Sequence, residues 1–341
     1  MKLQKGINLG GYLSQCVHTK EHYDSFLSED DYRHISEMGF DHVRLPIDYN
    51  VLETEQGDII EAGYQYVDSA ISNAKKYHLD IIIDLHKAFG YDFNNANVNE
   101  NNTLFTNPAL QTRFINLWKT IAARYAAYEH VAFELLNEVV EDENASLWNE
   151  LINKVVPAIR EIAPANPIIY GGIRWNSATT LCMLDKPKYD NIIYTFHFYE
   201  PLIFTHQKAP WVLGMDMERT VAYPDSMDHY REISKTLTMQ GDVVIEAKSE
   251  TMGPEFLQEV IQSGIDAAKD AGVRLYCGEF GVIDRAPAAD TLRWFTDVEK
   301  VFCKHNIGFA LWSYKLMDFG FTDPHMDPVR EDLLKVWFPN K

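Results

Sequence analysis

Apolar runs that stop abruptly in polar groups recur along this chain, and their alternation with amphipathic helical segments limits what it can fold into. The clearest run is 130–138, HVAFELLNE, where Val131, Ala132, Phe133, Leu135 and Leu136 lead straight into Asn137 and Glu138. Such a run reads as a buried strand that delivers polar groups at its carboxyl end. Runs at 5–11, 41–47, 79–86, 167–172, 191–199, 273–281 and 307–314 have the same form. Helical sequence fills the intervals at 29–38, 61–77, 108–127, 145–162, 254–271 and 288–305, with a closing helix at 329–337. Ser28 before Glu29, Asp30 and Asp31 marks a helix start with an acidic first turn. Alternating strands and helices imply parallel strands joined by helical crossovers, and eight such strands imply a (β/α)8 barrel. Chemistry in such barrels collects at the carboxyl ends of the strands.

One interval is too long for a simple crossover. Residues 200–253 show no clean helical period, carry Trp211, and include the β-prone run 242–247, DVVIEA. Segments of this length in compact domains are usually lids or small subdomains. The expectation is one catalytic barrel over 1–341, with a subdomain inserted at 200–253 after the sixth strand, over the active-site face. An asparagine-rich tract at 94–102 reads as a surface loop at the same face. A net charge of -19 repels phosphate backbones and anionic membrane surfaces, so neither nucleic acid nor membrane is an expected partner. The four cysteines, Cys16, Cys182, Cys277 and Cys303, lack Cys-x-x-Cys spacing and are expected as free, mostly buried thiols. The opening MKLQKGINLGG turns into strand-like sequence within five residues, which leaves no room in it for the apolar core of a secretory signal, so none is expected in this stretch. A monomer is expected, cytoplasmic or else secreted after loss of a leader.

Two strand-end glutamates organise the chemistry. The run 273–281, VRLYCGEFG, delivers Glu279, which can face Glu138 across one mouth. Two carboxylates in that relation are the minimum for hydrolysing a glycosidic bond, one protonated to donate to the leaving oxygen and one ionised to attack or to activate water. Arg44 is the cation that would keep one of them anionic. A lone strand-end acid is more often a cap, and a lone histidine more often structural. Here Arg44, His86, Asn137, Glu138, His197, Tyr199, Glu279 and Trp312 converge on successive strand ends. A metal hydrolase would gather a His-x-His pair at such a mouth, but His197 is followed by Phe198 and Tyr199, so neither metal nor organic cofactor is expected.

The ordered phrases GINLGG, DHVRLPID, LLNE, FHFY, FTHQKAPW, YCGEFGVI and LWSYKLMDF resemble glycoside hydrolase family 5, and within it the clostridial endoglucanases of the cellulase C type. The resemblance runs from about Gly6 to Phe319. It implies a retaining endo-β-1,4-glucanase, with Glu138 as acid/base and Glu279 as nucleophile. It further implies Asn137 on the sugar 2-hydroxyl, Arg44 and Tyr199 beside Glu279, His86 and His197 on the sugar, and Trp312 as the platform beneath it. Tyr91, Trp175 and Trp211 are the candidates for outer sugar subsites, set against simple packing. The expected partner is a β-glucan or cello-oligosaccharide. The alternatives are an exo-acting or oligosaccharide-directed β-glycosidase on β-1,3-glucan, mixed-linkage glucan or mannan, and a noncatalytic carbohydrate-binding barrel. His86-Lys87 stands where the clostridial pattern has two histidines.

Overall fold

The computed structural model of the protein describes residues 1–96 and 102–339. Eight parallel strands, β1 (Lys5–Asn8), β2 (His42–Asp48), β3 (Asp80–Lys87), β4 (Val131–Glu134), β5 (Ile168–Gly171), β6 (Ile192–Phe198), β7 (Arg274–Phe280) and β8 (Gly308–Leu311), close into a barrel in sequence order. Closure is made by β1 lying parallel to β8, with Lys5 opposite Phe309 and Ile7 opposite Leu311. The outer ring consists of α1 (Glu29–Met38), α2 (Glu61–Lys76), α3 (Pro108–Tyr125), α4 (Asn144–Arg160), α5 (Pro254–Ala271), α6 (Ala288–His305) and α7 (Arg330–Trp337). At the start of α1, Ser28 and Asp31 form a reciprocal capping box, as the acidic first turn leads one to expect.

Side chains alternate across each strand, so every second residue enters the barrel. Leu3, Ile82, Ala132, Ile169, Ile193, Tyr276 and Ala310 pack together as an apolar floor inside it. One pleat higher the interior turns polar: Ile82 gives way to Asp84 and then His86, and Ala132 to Glu134. The opposite strand faces join the helices in a second, larger core. Burial of each large aliphatic side chain there is worth about 1.5–3 kcal/mol. Three buried tryptophans tie the ring to the mouth. Trp118 of α3 donates its indole N–H to the Leu135 carbonyl (3.0 Å), Trp148 of α4 to Gly171 (2.9 Å) and Trp294 of α6 to Glu200 (2.9 Å).

Several expectations need correction. The β5–β6 crossover carries a 3₁₀ run, Ala178–Met183, where the other crossovers carry α-helices. The β-prone run 242–247 forms a helical turn, Asp242–Ile245, with Val244 buried, and the eight described strands close on themselves without taking it up. The rest of 200–253 folds as further short pieces, Leu202–Thr205, Met227–Ser234 and Lys235–Gly241. Gln207 fastens them, accepting from the Val221 N–H and donating to the carbonyls of Phe204 and Val221. All four cysteines are free, yet Cys277 alone is buried. The asparagine-rich tract falls partly at 97–101, outside the described residues; before it, Phe93–Asn95 is a single 3₁₀ turn. Among the described residues no helix is long and apolar enough to cross a membrane.

Candidate active site

Arg44 stands at the third position of β2, so it rises into the mouth from mid-strand inside the barrel rather than from the strand end expected of it. Its guanidinium is fully buried and spends every direction. Nε and Nη2 grip Glu134 (2.7 and 2.9 Å), Nη2 also donates to Asn137 Oδ1 (2.8 Å), and Nη1 donates to Asn8 Oδ1 (3.0 Å) and Glu279 Oε1 (2.8 Å). Asp84 Oδ2 lies 3.1 Å from Nη2. Three buried carboxylates thus share one cation, and two-point contact gives Glu134 the largest share.

Glu279 reaches the interior through a bulge. Tyr276 belongs to the inner floor and Cys277 to the outer core, so regular alternation would send Gly278 inward and Glu279 outward. From Cys277 to Phe280, β7 advances three residues while β8 advances two, Phe309 to Leu311. Against β6 the same extra residue shows as Phe196 opposite Cys277 and His197 opposite Glu279. The added residue reverses the alternation and turns Glu279 toward the mouth. There Oε1 accepts from Arg44 and Oε2 from the Tyr199 hydroxyl at 3.0 Å.

Glu138 comes from the other side. β4 ends at Glu134, so Asn137 and Glu138 sit on the loop that follows. The Asn137 N–H donates to the Leu85 carbonyl (3.1 Å), and the Asn176 amide donates to the Asn137 carbonyl (2.8 Å). Glu138 Oε1 lies 2.7 Å from His197 Nδ1, which is 3.6 Å from Glu279 Oε2. One donor atom each from Glu138, His197 and Glu279 all lie within 4.8 Å of one another.

Burial raises the pKa of both glutamates, Glu138 to about 8 and Glu279 to about 7. Among the described residues Glu138 touches no cation; the more distant Arg44 draws its pKa down and the negative charge of Glu134 pushes it up, and burial outweighs both. Glu279 touches Arg44. His197 is held neutral by its own burial, which lowers it to about 4, so Arg44 is the cation that serves Glu279 at neutral pH. The arrangement therefore separates the pair into one group that keeps its proton and one that gives it up more readily.

His86 and Trp312 build a wall beside the carboxylates. Their rings lie parallel, 5.8 Å apart with 5° between planes. His86 Nδ1 is 2.6 Å from Asp84 Oδ2, and its Nε2 is 2.9 Å from the Gln15 amide. Lys87, at the altered histidine position, points away and pairs with Asp92 at 3.1 Å.

The outer aromatic candidates separate. Trp211 is 54% exposed, and its edge meets His206, which packs on Tyr199. Trp175 is half-buried at the β5 end, with its backbone N–H donating to the Val139 carbonyl. Tyr91 does not qualify as an outer subsite: it is 2% exposed, packs on Phe105, and its hydroxyl accepts from the Val140 N–H and donates to Glu141. Packing claims its ring and hydrogen bonding claims its tip. The sequence reading missed Asn8, Gln15 and Glu134. Glu134 was discoverable as an acid lying two residues from inward Ala132 inside an otherwise apolar run; Asn8 and Gln15 gave no comparable signal.

The cellulase model, glycosyl hydrolase family 5, matches residues 4–317. Endoglucanase C of Acetivibrio thermocellus is 39% identical, covering 98% of both chains. Cellodextrinase A of Ruminococcus flavefaciens is 40% identical over 89% of this chain and 83% of its own. The crystal structure of endoglucanase Cel5A from Thermotoga maritima superposes with a TM-score of 0.74 at 28% identity, over 98% of this chain and 96% of that one. A closed eight-stranded barrel with paired glutamates at its mouth, matched along nearly its whole length by these relatives, belongs to the cellulase family, glycosyl hydrolase family 5, and is a glycoside hydrolase.

Proposed function

We propose that the protein is a retaining endo-β-1,4-glucanase in which Glu138 is the acid/base and Glu279 the nucleophile. The observation that carries this reading is that an oxygen of Glu138 and an oxygen of Glu279 lie within 4.8 Å of each other. Retaining glycosidases set the two groups roughly 5–5.5 Å apart, whereas inverting ones leave about 6.5–9.5 Å for a water. Glu138 protonates the leaving oxygen while Glu279 attacks the anomeric carbon, forming a glycosyl ester. The aglycone then leaves, Glu138 takes a proton from water, and that water cleaves the ester. Arg44 and the Tyr199 hydroxyl hold Glu279 ionised and aimed. Asn137, with its Oδ1 on Arg44, presents its amide N–H₂ to the sugar 2-hydroxyl. His86 and His197 bind the ring on the nonreducing side of the cut, and Trp312 supplies the flat apolar face beneath it. Trp175 and Trp211 carry outer sugars, and 200–253 frames the side of the cleft where Trp211 stands.

The reaction as read here needs no metal: Glu138 supplies the proton, Glu279 the attacking oxygen and Arg44 the positive charge beside it. The protein acts as a monomer. A second reading, preference for short cello-oligosaccharides, is favoured by the likeness to Cellodextrinase A. Mass-spectrometric product analysis separates the two, with Glu279→Gln as blank and each reaction run with and without a chelator. Mixed short oligomers from soluble cellulose are expected. Cleavage confined to short oligosaccharides would favour the second reading; loss of activity in chelator would overturn the metal-free mechanism.

A further inference from the structure

At the bulge in β7 a backbone carbonyl is met by a side chain from β1. That carbonyl belongs to Gly278, and the side chain that meets it is Asn8 at the end of β1. Asn8 is fully buried. Its amide N–H₂ donates to Gly278 O at 2.9 Å, with Ala310 O and Leu311 O at 3.2 and 3.3 Å. Its Oδ1 accepts from Arg44 Nη1 at 3.0 Å, the same nitrogen that donates to Glu279 Oε1 at 2.8 Å. This orientation of the amide is the one that matches donors to acceptors on both sides. The fit leaves no slack, since a Cβ at Gly278 would lie 2.9 Å from Thr195 Oγ1 and 3.2 Å from His197 Nε2.

We propose that Asn8 is a positioning residue for the nucleophile. One short side chain grips both the bulge that turns Glu279 inward and the guanidinium nitrogen that orients its carboxylate. Backbone aim and side-chain aim are thereby set by the same amide. A side chain serving barrel closure alone would need only its contacts to β8. Asn8 instead sends one end to the carbonyl preceding Glu279 and the other to its cation. Without it, Arg44 Nη1 loses an acceptor, and the Gly278 carbonyl loses the Asn8 amide in a buried interior, where an unmet polar group is costly.

The inference rests on Glu279 being the nucleophile, and the test keeps the two apart. An activated 2-deoxy-2-fluoro-β-cellobioside esterifies the nucleophile with expulsion of its aryl leaving group and needs no proton from Glu138. Its label on the wild-type protein is mapped by mass spectrometry, and its inactivation rate and dissociation constant are measured for Asn8→Ala and Asn8→Asp. The label is expected on Glu279. Asn8→Ala is expected to lower the inactivation rate about 100-fold, the scale of loss from a displaced reacting group, with the dissociation constant unchanged. Asn8→Asp keeps the acceptor for Arg44 and loses the donor for Gly278, and is also expected to be slow. A folded Asn8→Ala labelled at the wild-type rate overturns the proposal. If Asn8→Ala shows no cooperative melt, Asn8→Asp decides: a wild-type rate there overturns it, and a slow rate with unchanged affinity supports it. A label elsewhere than Glu279 overturns the reading of the nucleophile and this inference with it.

Discussion

Glu138 and Glu279 are the same residue type at the same depth, and what touches them makes them different. Glu279→Gln keeps shape and hydrogen bonding but removes the attacking oxygen. Turnover should fall by about 10⁴-fold or more with oligosaccharide binding retained, as calorimetry and single-turnover assays would show. Glu138→Gln should cost about 10³-fold on cello-oligosaccharides and far less on activated aryl cellobiosides, whose leaving groups need no proton. Equal losses on both would contradict the acid role. The pH dependence follows from the same contacts. Activity requires Glu279 ionised and Glu138 protonated, so kcat/KM should rise with pH as Glu279 gives up its proton near 7 and fall as Glu138 does near 8. Glu134 keeps a negative charge near Glu138, which favours its protonated form. Glu134→Gln should therefore move the alkaline limb to lower pH, and an unmoved limb would refute that influence.

Strands and helices carry a different lesson. The barrel was legible because eight apolar runs alternate with helical ones, and because Glu138 and Glu279 each end such a run. The 3₁₀ crossover Ala178–Met183 was not legible, since no amphipathic period marks it. The run 242–247 has β propensity, yet it folds as a helical turn beside a barrel that is already closed, and β propensity depends on context of that kind. The bulge in β7 was equally hidden: simple alternation aims Glu279 away from the mouth, and its true direction depends on the pairing with β6 and β8. Arg44 was placed too near its strand end for a related reason, because depth in a barrel is fixed by neighbouring strands. Gly278→Ala tests the bulge directly. Its new Cβ meets Thr195 and His197, which should cost about 1–3 kcal/mol of stability and a larger fraction of kcat than of substrate affinity. A variant that melts lower yet keeps full kcat would show that the bulge serves the fold alone.

At the scale of the whole molecule the barrel behaves as an insulator. Arg44 lies beneath the carboxylates, sealed on all sides by the strands and the loops above them. A surface ion pair weakens as salt shortens the screening length, which falls to about 3 Å at about 1 M. The contacts of Arg44 are closed to that ionic atmosphere. A neutral glucan also gains nothing from long-range attraction, so the net charge of -19 neither draws the substrate in nor slows it when screened. Turnover measured from low ionic strength to about 1 M sodium chloride should change little. A steep loss would mean that the guanidinium is open to solvent during the cycle. The same burial that raises both carboxyl pKa values thus predicts tolerance to brine, a property of the environments in which such an enzyme can work rather than of the bond it cleaves.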